Sequence, residues 1–345
     1  MKAAKLYGKN DLRITDVPVP EIAEDEMLLR VKAATVCGTD LRMYANGAAG
    51  ATEEHPLTLC HEFAGTIEKL GSAVTGYTAE QRVSIAPNIG CGICDACVSG
   101  NSHHCKNLMA LGIHADGGFA EFVRIPAAAI AHGNVTPLAD GVSFEAAAAN
   151  EAFSCVYNSF ERYRVDPGDA VLIIGAGAIG MMHAKLAFMA GASCVILNDL
   201  SEERLGLCKT LDPRLTIVSK NLKEAVADET EGKGADAVIT ACGVRSVQED
   251  AFNYAALNGR VNFFGGLPAG QPATLDTNQI HYKQLQVSGT TRASLDHYRK
   301  TLDFIAKGIV EVDSLVTDKY SIEDTLTAFE NASAQKGLKQ AIVFD

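Results

Sequence analysis

Four cysteines stand close together as Cys91-x2-Cys94-x2-Cys97-x7-Cys105. Four thiolates at such spacing can close a tetrahedral all-sulfur zinc site, and a closed shell leaves no position for a substrate, so this zinc is structural. Residues 88–107 have few large apolar side chains and cannot build a core of their own. A bound ion would supply the stability that burial cannot. An iron–sulfur cluster, disulfides and unligated thiols are the alternatives; the spacing is unlike a ferredoxin pattern, and disulfides conflict with a cytosolic protein. His103 and His104 adjoin Cys105, but four sulfurs suffice, and both histidines are read as surface residues.

A second pattern, Gly175-x-Gly177-x-x-Gly180, gains meaning from its surroundings: an apolar strand-like run (170–174) precedes it and a helical stretch begins at Ala178. The first glycine permits a tight turn, the second lets a pyrophosphate approach the backbone, and the third allows close helix–strand packing. The helix start, with Ala178 and Ile179, offers free N–H groups and a partial positive charge to the pyrophosphate. Asp199, nineteen residues after Gly180, ends the next strand. A carboxylate there accepts hydrogen bonds from the adenosine ribose and repels a 2′-phosphate, so NAD is preferred to NADP. Arg204 and Gly265 complete the expected cofactor contacts. The bland alternative is a glycine-rich turn with an incidental aspartate.

Three further features are scattered: Cys37 in CGTD (37–40), His61-Glu62 in CHEFAG (60–65) and Glu151 in NEAFSC (150–155). Singly they read as a buried thiol, a core histidine and helix-surface carboxylates. Their occurrence beside the cysteine cluster and the glycine motif is what argues for chemistry.

These groups need scaffolds to position them. A chain of 345 residues is about right for two domains. With 47% hydrophobic and 21% charged residues it is expected to be globular. Its net charge of −12, without a basic block, excludes a nucleic-acid or anionic-membrane partner from the expected functions. No apolar run approaches the roughly 18 residues that span a bilayer, and the N-terminal stretch is unlike a signal peptide, so a cytoplasmic protein is expected. To about residue 145 the chain reads as many short strands, followed by a helix over 144–164. From Asp169 strand-like runs alternate with helices, as in a doubly wound parallel sheet, with one helix near Gln248–Leu257. A helix at 294–308 follows, and Gln340–Phe344 is placed as a strand returning to the first domain.

On CGTDLRMY (37–44), HEFAGTIEKLGSAV (61–74), the four cysteines, GGFAEFV (117–123), GAGAIG (175–180) and GLKQAIVF (337–344), in that order, the chain resembles the zinc-containing medium-chain alcohol dehydrogenase family. Within it the similarity is greatest to the polyol (sorbitol) and threonine dehydrogenase branch. The resemblance implies a GroES-like β-barrel catalytic domain over 1–150 and 290–345 with its zinc lobe at 88–107, a Rossmann domain over 151–289, and a homo-oligomer, dimer or tetramer. It implies a catalytic zinc on Cys37 and His61, with Glu62 binding in some states and Glu151 binding directly or through water. Thr39 would begin a proton relay, Asp40 would orient the ligand histidine, and Arg292 would lie near the nicotinamide and substrate. The implied reaction moves hydride from a secondary hydroxyl of a polyol or polyol phosphate to NAD, giving the ketose. L-Threonine or another secondary alcohol or diol is an alternative substrate. A non-catalytic dinucleotide-binding relative is an alternative of another class, opposed by the complete ligand set.

Three departures from the family pattern stand out. Cys60 replaces the usual glycine before His-Glu and brings an extra sulfur near the expected metal. Glu80-Gln81 replaces a glycine-aspartate pair. Arg42 stands where the branch commonly has a relay histidine. Arginine cannot relay a proton at neutral pH. The relay then ends in water or ribose hydroxyls, or Arg42 binds an anionic group such as phosphate, or it is simply solvated.

Overall fold

The short apolar runs of the first half pair as antiparallel strands. In the computed structural model, which describes all 345 residues, five of them join two C-terminal strands, parallel to each other, in a seven-stranded sheet. Its order is Val135–Pro137, Arg82–Ile85, Phe63–Leu70, Met27–Thr35, Lys339–Val343, Val316–Tyr320, with Phe122–Ile125 also pairing along Met27–Thr35. The C-terminal strand does return here: Ala341 pairs with Thr35 in antiparallel register. A three-stranded sheet of Asp11–Asp16, Lys2–Gly8 and Leu57–Thr58 accompanies it.

The chain divides into two compact units, Met1–Ser154 with Ala293–Asp345, and Cys155–Arg292. The division falls inside one unbroken helix, Phe144–Tyr163, a few residues beyond the expected boundary at 150. No linker marks it, because the helical pattern runs straight through. As a result Glu151 belongs to the first unit, with Cys37 and His61, and not to the second.

One element of the first unit differs from the strand-rich expectation. CGTDLRMY forms a helix, Gly38–Asn46, started by Cys37 at its N-cap. The Asp40 carboxylate accepts the Cys37 N–H at 2.8 Å, which satisfies a donor that the first helical turn leaves unpaired. Tyr44 packs edge-on against Phe329, with ring centroids 5.7 Å apart, and Phe329 meets Phe119 at 5.6 Å. The buried Phe329, on the helix Thr325–Ser333, thus holds Gly38–Asn46 in the first unit's core; truncating it to alanine would cost about 3–5 kcal/mol.

The second unit is a six-stranded, all-parallel sheet. Its order is Thr216–Val218, Cys194–Asn198, Ala170–Ile174, Ala235–Thr240, Ala255–Phe263, Gln286–Gly289. The strand order reverses next to Ala170–Ile174, the place where such sheets bind ligands. The helix expected near 248–257 runs from Arg245 to Tyr254, because Ala255 already pairs with Ala235 in the sheet. Helices Leu222–Glu229 and Thr277–Lys283 were not foreseen; both are short. No helix in the chain is long and apolar enough to cross a membrane.

Candidate active site

The first unit brings Cys37, His61 and Glu62 together, with one ligand atom from each lying within 4.8 Å of the others. Cys37 arrives at the start of the helix Gly38–Asn46, and His61 and Glu62 arrive just before the strand Phe63–Leu70. Two glycines of GGFAEFV let that second segment sit where it does. A Cβ at Gly117 would stand 2.0 Å from the Cys60 carbonyl oxygen, and one at Gly118 would stand 2.5 Å from Phe63 Cβ.

The pocket is a buried charge network. Asp40 and Glu62 are fully buried, and His61 nearly so. One Glu62 oxygen, Oε2, meets the buried Lys339 ammonium at 2.5 Å and accepts the Thr35 hydroxyl proton; the other, Oε1, is buried without a partner. Burial works against the Glu62 charge, but Lys339 and His61 outweigh it and hold the carboxyl below its ordinary range. Burial likewise disfavours a charged His61, yet Cys37, Asp40 and Glu151 hold its imidazole well above the ordinary value. A soft thiolate, an imidazole and a carboxylate with an orphaned buried oxygen suit a zinc ion, and three protein donors leave a position open.

The other expected residues fall as follows. Asp40 Oδ1 lies 3.8 Å from His61 Nδ1, beyond hydrogen-bond reach, while its oxygens accept the N–H groups of Cys37 and Cys60. Its action on His61 is therefore electrostatic. Glu151 is buried and its charge reaches His61, but its carboxylate is not within the close set of three. Thr39 is half-buried and its hydroxyl oxygen accepts an Arg42 N–H at 2.9 Å. Arg42 is exposed, and this bond to Thr39 is the contact its guanidinium makes. Cys60 is fully buried, and its thiol donates to the Thr35 and Glu62 carbonyls. It does not join the ligand set, and its backbone keeps the positive φ of 80° that a glycine would favour.

Lys339 and Thr35 were missed by sequence reasoning, as was Tyr298, whose buried hydroxyl donates to the Ile85 carbonyl at 3.0 Å beside Ser84. A signal for Lys339 existed: it is a lone charge opening the apolar run KQAIV.

Cys91, Cys94, Cys97 and Cys105 place their sulfurs within 4.8 Å of one another, as a structural zinc requires. Main-chain N–H groups of Ile93 and Cys94 pull the Cys91 thiol down to about 6, towards the thiolate that binds metal. His104 is exposed as expected, but His103 is buried at 2% exposure. The short turn Ser102–His104 tucks it inward, its ring 6.3 Å from that of His297.

In the second unit the glycine turn has the expected geometry. Gly175 takes φ 118°, and a Cβ at Gly180 would stand 1.9 Å from the Gly175 carbonyl oxygen. Gly177 caps the helix Ala178–Met189, whose first residues include Ala178 and Ile179. The Asp199 carboxylate is aimed by two main-chain donors, Ala176 N–H at 2.8 Å and Ser201 N–H at 2.9 Å. Arg204 lays its guanidinium over the turn, Nη2 lying 3.1 Å from where a Gly177 Cβ would be, and its Nε is buried without a partner. Gly265 abuts Cys242: a Cβ would stand 2.3 Å from the Cys242 carbonyl carbon. Arg292, at the end of this unit, is exposed with φ 57°, and its carbonyl accepts from Asn158 at 2.8 Å.

Residues 23–135 match the model of the alcohol dehydrogenase GroES-like domain, and residues 178–307 match that of the zinc-binding dehydrogenases. The chain is 32% identical to a sorbitol dehydrogenase of Bacillus subtilis over 96% of its own length and 93% of the relative's. It is 31% identical to an L-threonine 3-dehydrogenase of Rhizobium etli, covering 100% of this chain and 98% of that one. A crystal structure of an Escherichia coli alcohol dehydrogenase complexed with NADH superposes with a TM-score of 0.88 at 25% identity, over 100% of this chain and 99% of the other.

Proposed function

The chain belongs to the zinc-containing medium-chain alcohol dehydrogenases and is an NAD-dependent oxidoreductase acting on CH–OH groups, and from this premise we propose that it oxidises a secondary hydroxyl of a polyol to the ketose. The set of half-buried Cys37 and buried His61 and Glu62, with its orphaned Glu62 oxygen, carries this reading. When bound, zinc supplies Lewis acidity towards a hydroxyl and NAD supplies the hydride acceptor.

The chain's own residues do the rest. Cys37 and His61 would hold the metal, Glu62 would offer it its one free oxygen, and Glu151 adds negative charge nearby. Asp40 fixes the backbone that presents Cys37 and Cys60-His61. Thr39 takes up the proton that the substrate hydroxyl loses. Its oxygen already accepts the Arg42 N–H, and Arg42 has no lone pair to take a proton onward, so the path continues to water. Arg204, Asp199 and the amides of the glycine turn hold the dinucleotide.

A polyol carrying an anionic group is a second reading, supported by Arg42, whose forked guanidinium stands beside Thr39. L-Threonine is a third, supported by the threonine dehydrogenase relatives. The test is NAD reduction by zinc-loaded protein with free polyols, their phosphates, L-threonine, a vicinal diol and simple secondary alcohols. Turnover of free polyols is expected. Turnover confined to the phosphates would move the assignment to the anionic class, and turnover confined to L-threonine would overturn the polyol reading.

A further inference from the structure

Lys339 is a buried ammonium at the start of a sheet strand, and the ion pair it makes is with Glu62. An ion pair this deep is seldom a net source of stability, because both charges lose their water. Apolar packing could replace such a pair without loss of fold. Its position suggests another use. Lys339 and the Thr35 hydroxyl both bind the same oxygen, Glu62 Oε2, and leave Oε1 alone without a partner.

We propose that Lys339 is a positioning residue that, together with Thr35, clamps Glu62 so that it offers the metal a single, detachable oxygen. The proposal rests on reading Cys37, His61 and Glu62 as the metal pocket. The clamp acts in two ways. It withholds Oε2, which excludes bidentate binding, and its positive charge competes with the metal for the carboxylate. A substrate oxygen can then displace Glu62 from the metal at small cost, since the carboxylate falls back on partners it already has. Without the clamp the metal would be the main counter-charge of a buried carboxylate, and Glu62 would hold it tightly with both oxygens.

The experiment measures loss of metal to a chelator, with the four-cysteine site as internal reference, in wild type and in Lys339→Met, Lys339→Arg and Thr35→Val. Cobalt-substituted samples report the coordination number through the strength of their visible absorption. For Lys339→Met the expected result is metal release from the pocket slowed about tenfold, opposite in sign to the loss of affinity that usually follows removal of a residue supporting a metal ligand. Its cobalt absorption should weaken, as higher coordination requires, and kcat should fall with little change in KM. Lys339→Arg should stay near wild type. Thr35→Val should shift in the same direction as Lys339→Met by a smaller factor, and it decides the matter if Lys339→Met does not fold. Release that is unchanged or faster in Lys339→Met and Thr35→Val would overturn the clamp and leave Lys339 a structural ion pair. Wild-type protein that holds metal only on the four cysteines would overturn the pocket reading itself.

Discussion

The two metal-binding regions of the first unit are built on opposite plans. The lobe around Cys91, Cys94, Cys97 and Cys105 has almost no core: Ile93 is 86% exposed and Val98 71%. Its backbone pairing is one two-residue ladder, Asn88–Ile89 with Met109–Ala110. There the ion must make the fold. The pocket of Cys37, His61 and Glu62 is made by the fold, being set among fully buried residues and braced by Asp40, Lys339 and Thr35 before any ion arrives. A closed set of like donors gives stability, whereas an open set of unlike donors gives chemistry.

The sharpest way to separate them is to remove one donor from each. His61→Ala should lower NAD-linked activity by at least about a thousandfold while leaving the melting curve close to that of wild type after the lobe zinc is retained. Cys97→Ser should do the reverse in kind: it should destabilise by about 3 kcal/mol or more and expose residues 88–107 to protease, with activity falling only as folded protein is lost. A lobe that stays protease-resistant without its metal would break the contrast.

Acid affects both sites by protonating their ligands, so a background independent of metal must be subtracted. His183, in the second unit, provides it. Burial pulls its imidazole down to about 3, and Tyr163 is the hydroxyl that meets its Nδ1 at 3.0 Å. The folded state therefore binds fewer protons than the unfolded one below the ordinary histidine range. Stability is full above about 6.5 and declines as pH falls towards the folded value, by about 2 kcal/mol between pH 7 and 5. Urea titrations of the metal-free protein at those two pH values should show this slope as the difference between wild type and His183→Gln.

The smallest effects test the scaffold of the pocket. Two of the departures from the family pattern, Cys60 at φ 80° and Glu80 at φ 62°, keep a left-handed backbone without glycine's freedom. Glu80→Gly should stabilise by about 1 kcal/mol, and Cys60→Val should destabilise by about 2 kcal/mol, since a branched side chain tolerates that conformation poorly. Equilibrium unfolding checks both. Equal effects of valine and glycine at position 60 would remove the strain argument.

What could be read in advance follows the same division between local and assembled features. The four cysteines and the glycine turn with Asp199 lie in contiguous stretches, where spacing alone implies geometry. The pocket is assembled from residues far apart in sequence, so Cys37 and His61 were legible through family resemblance and not through spacing. Lys339 and Thr35 lie on neighbouring strands at opposite ends of the chain, and their meeting at Glu62 depends on sheet register. The helix Gly38–Asn46 was hidden by strand-like surroundings, although Asp40 three residues after Cys37 was a start signal. A surface place for His103 follows from four sulfurs completing a zinc shell, but the turn Ser102–His104 carries it inward.

The most direct test of two unlike zinc sites is to remove zinc stepwise with a chelator while recording bound metal, folding and NAD-linked activity on the same samples. The account predicts two zinc ions per chain at the start, complete loss of activity with the first ion, and loss of the lobe's protease resistance only with the second. Activity that persists after the first ion leaves, or that falls only when the lobe opens, would contradict it.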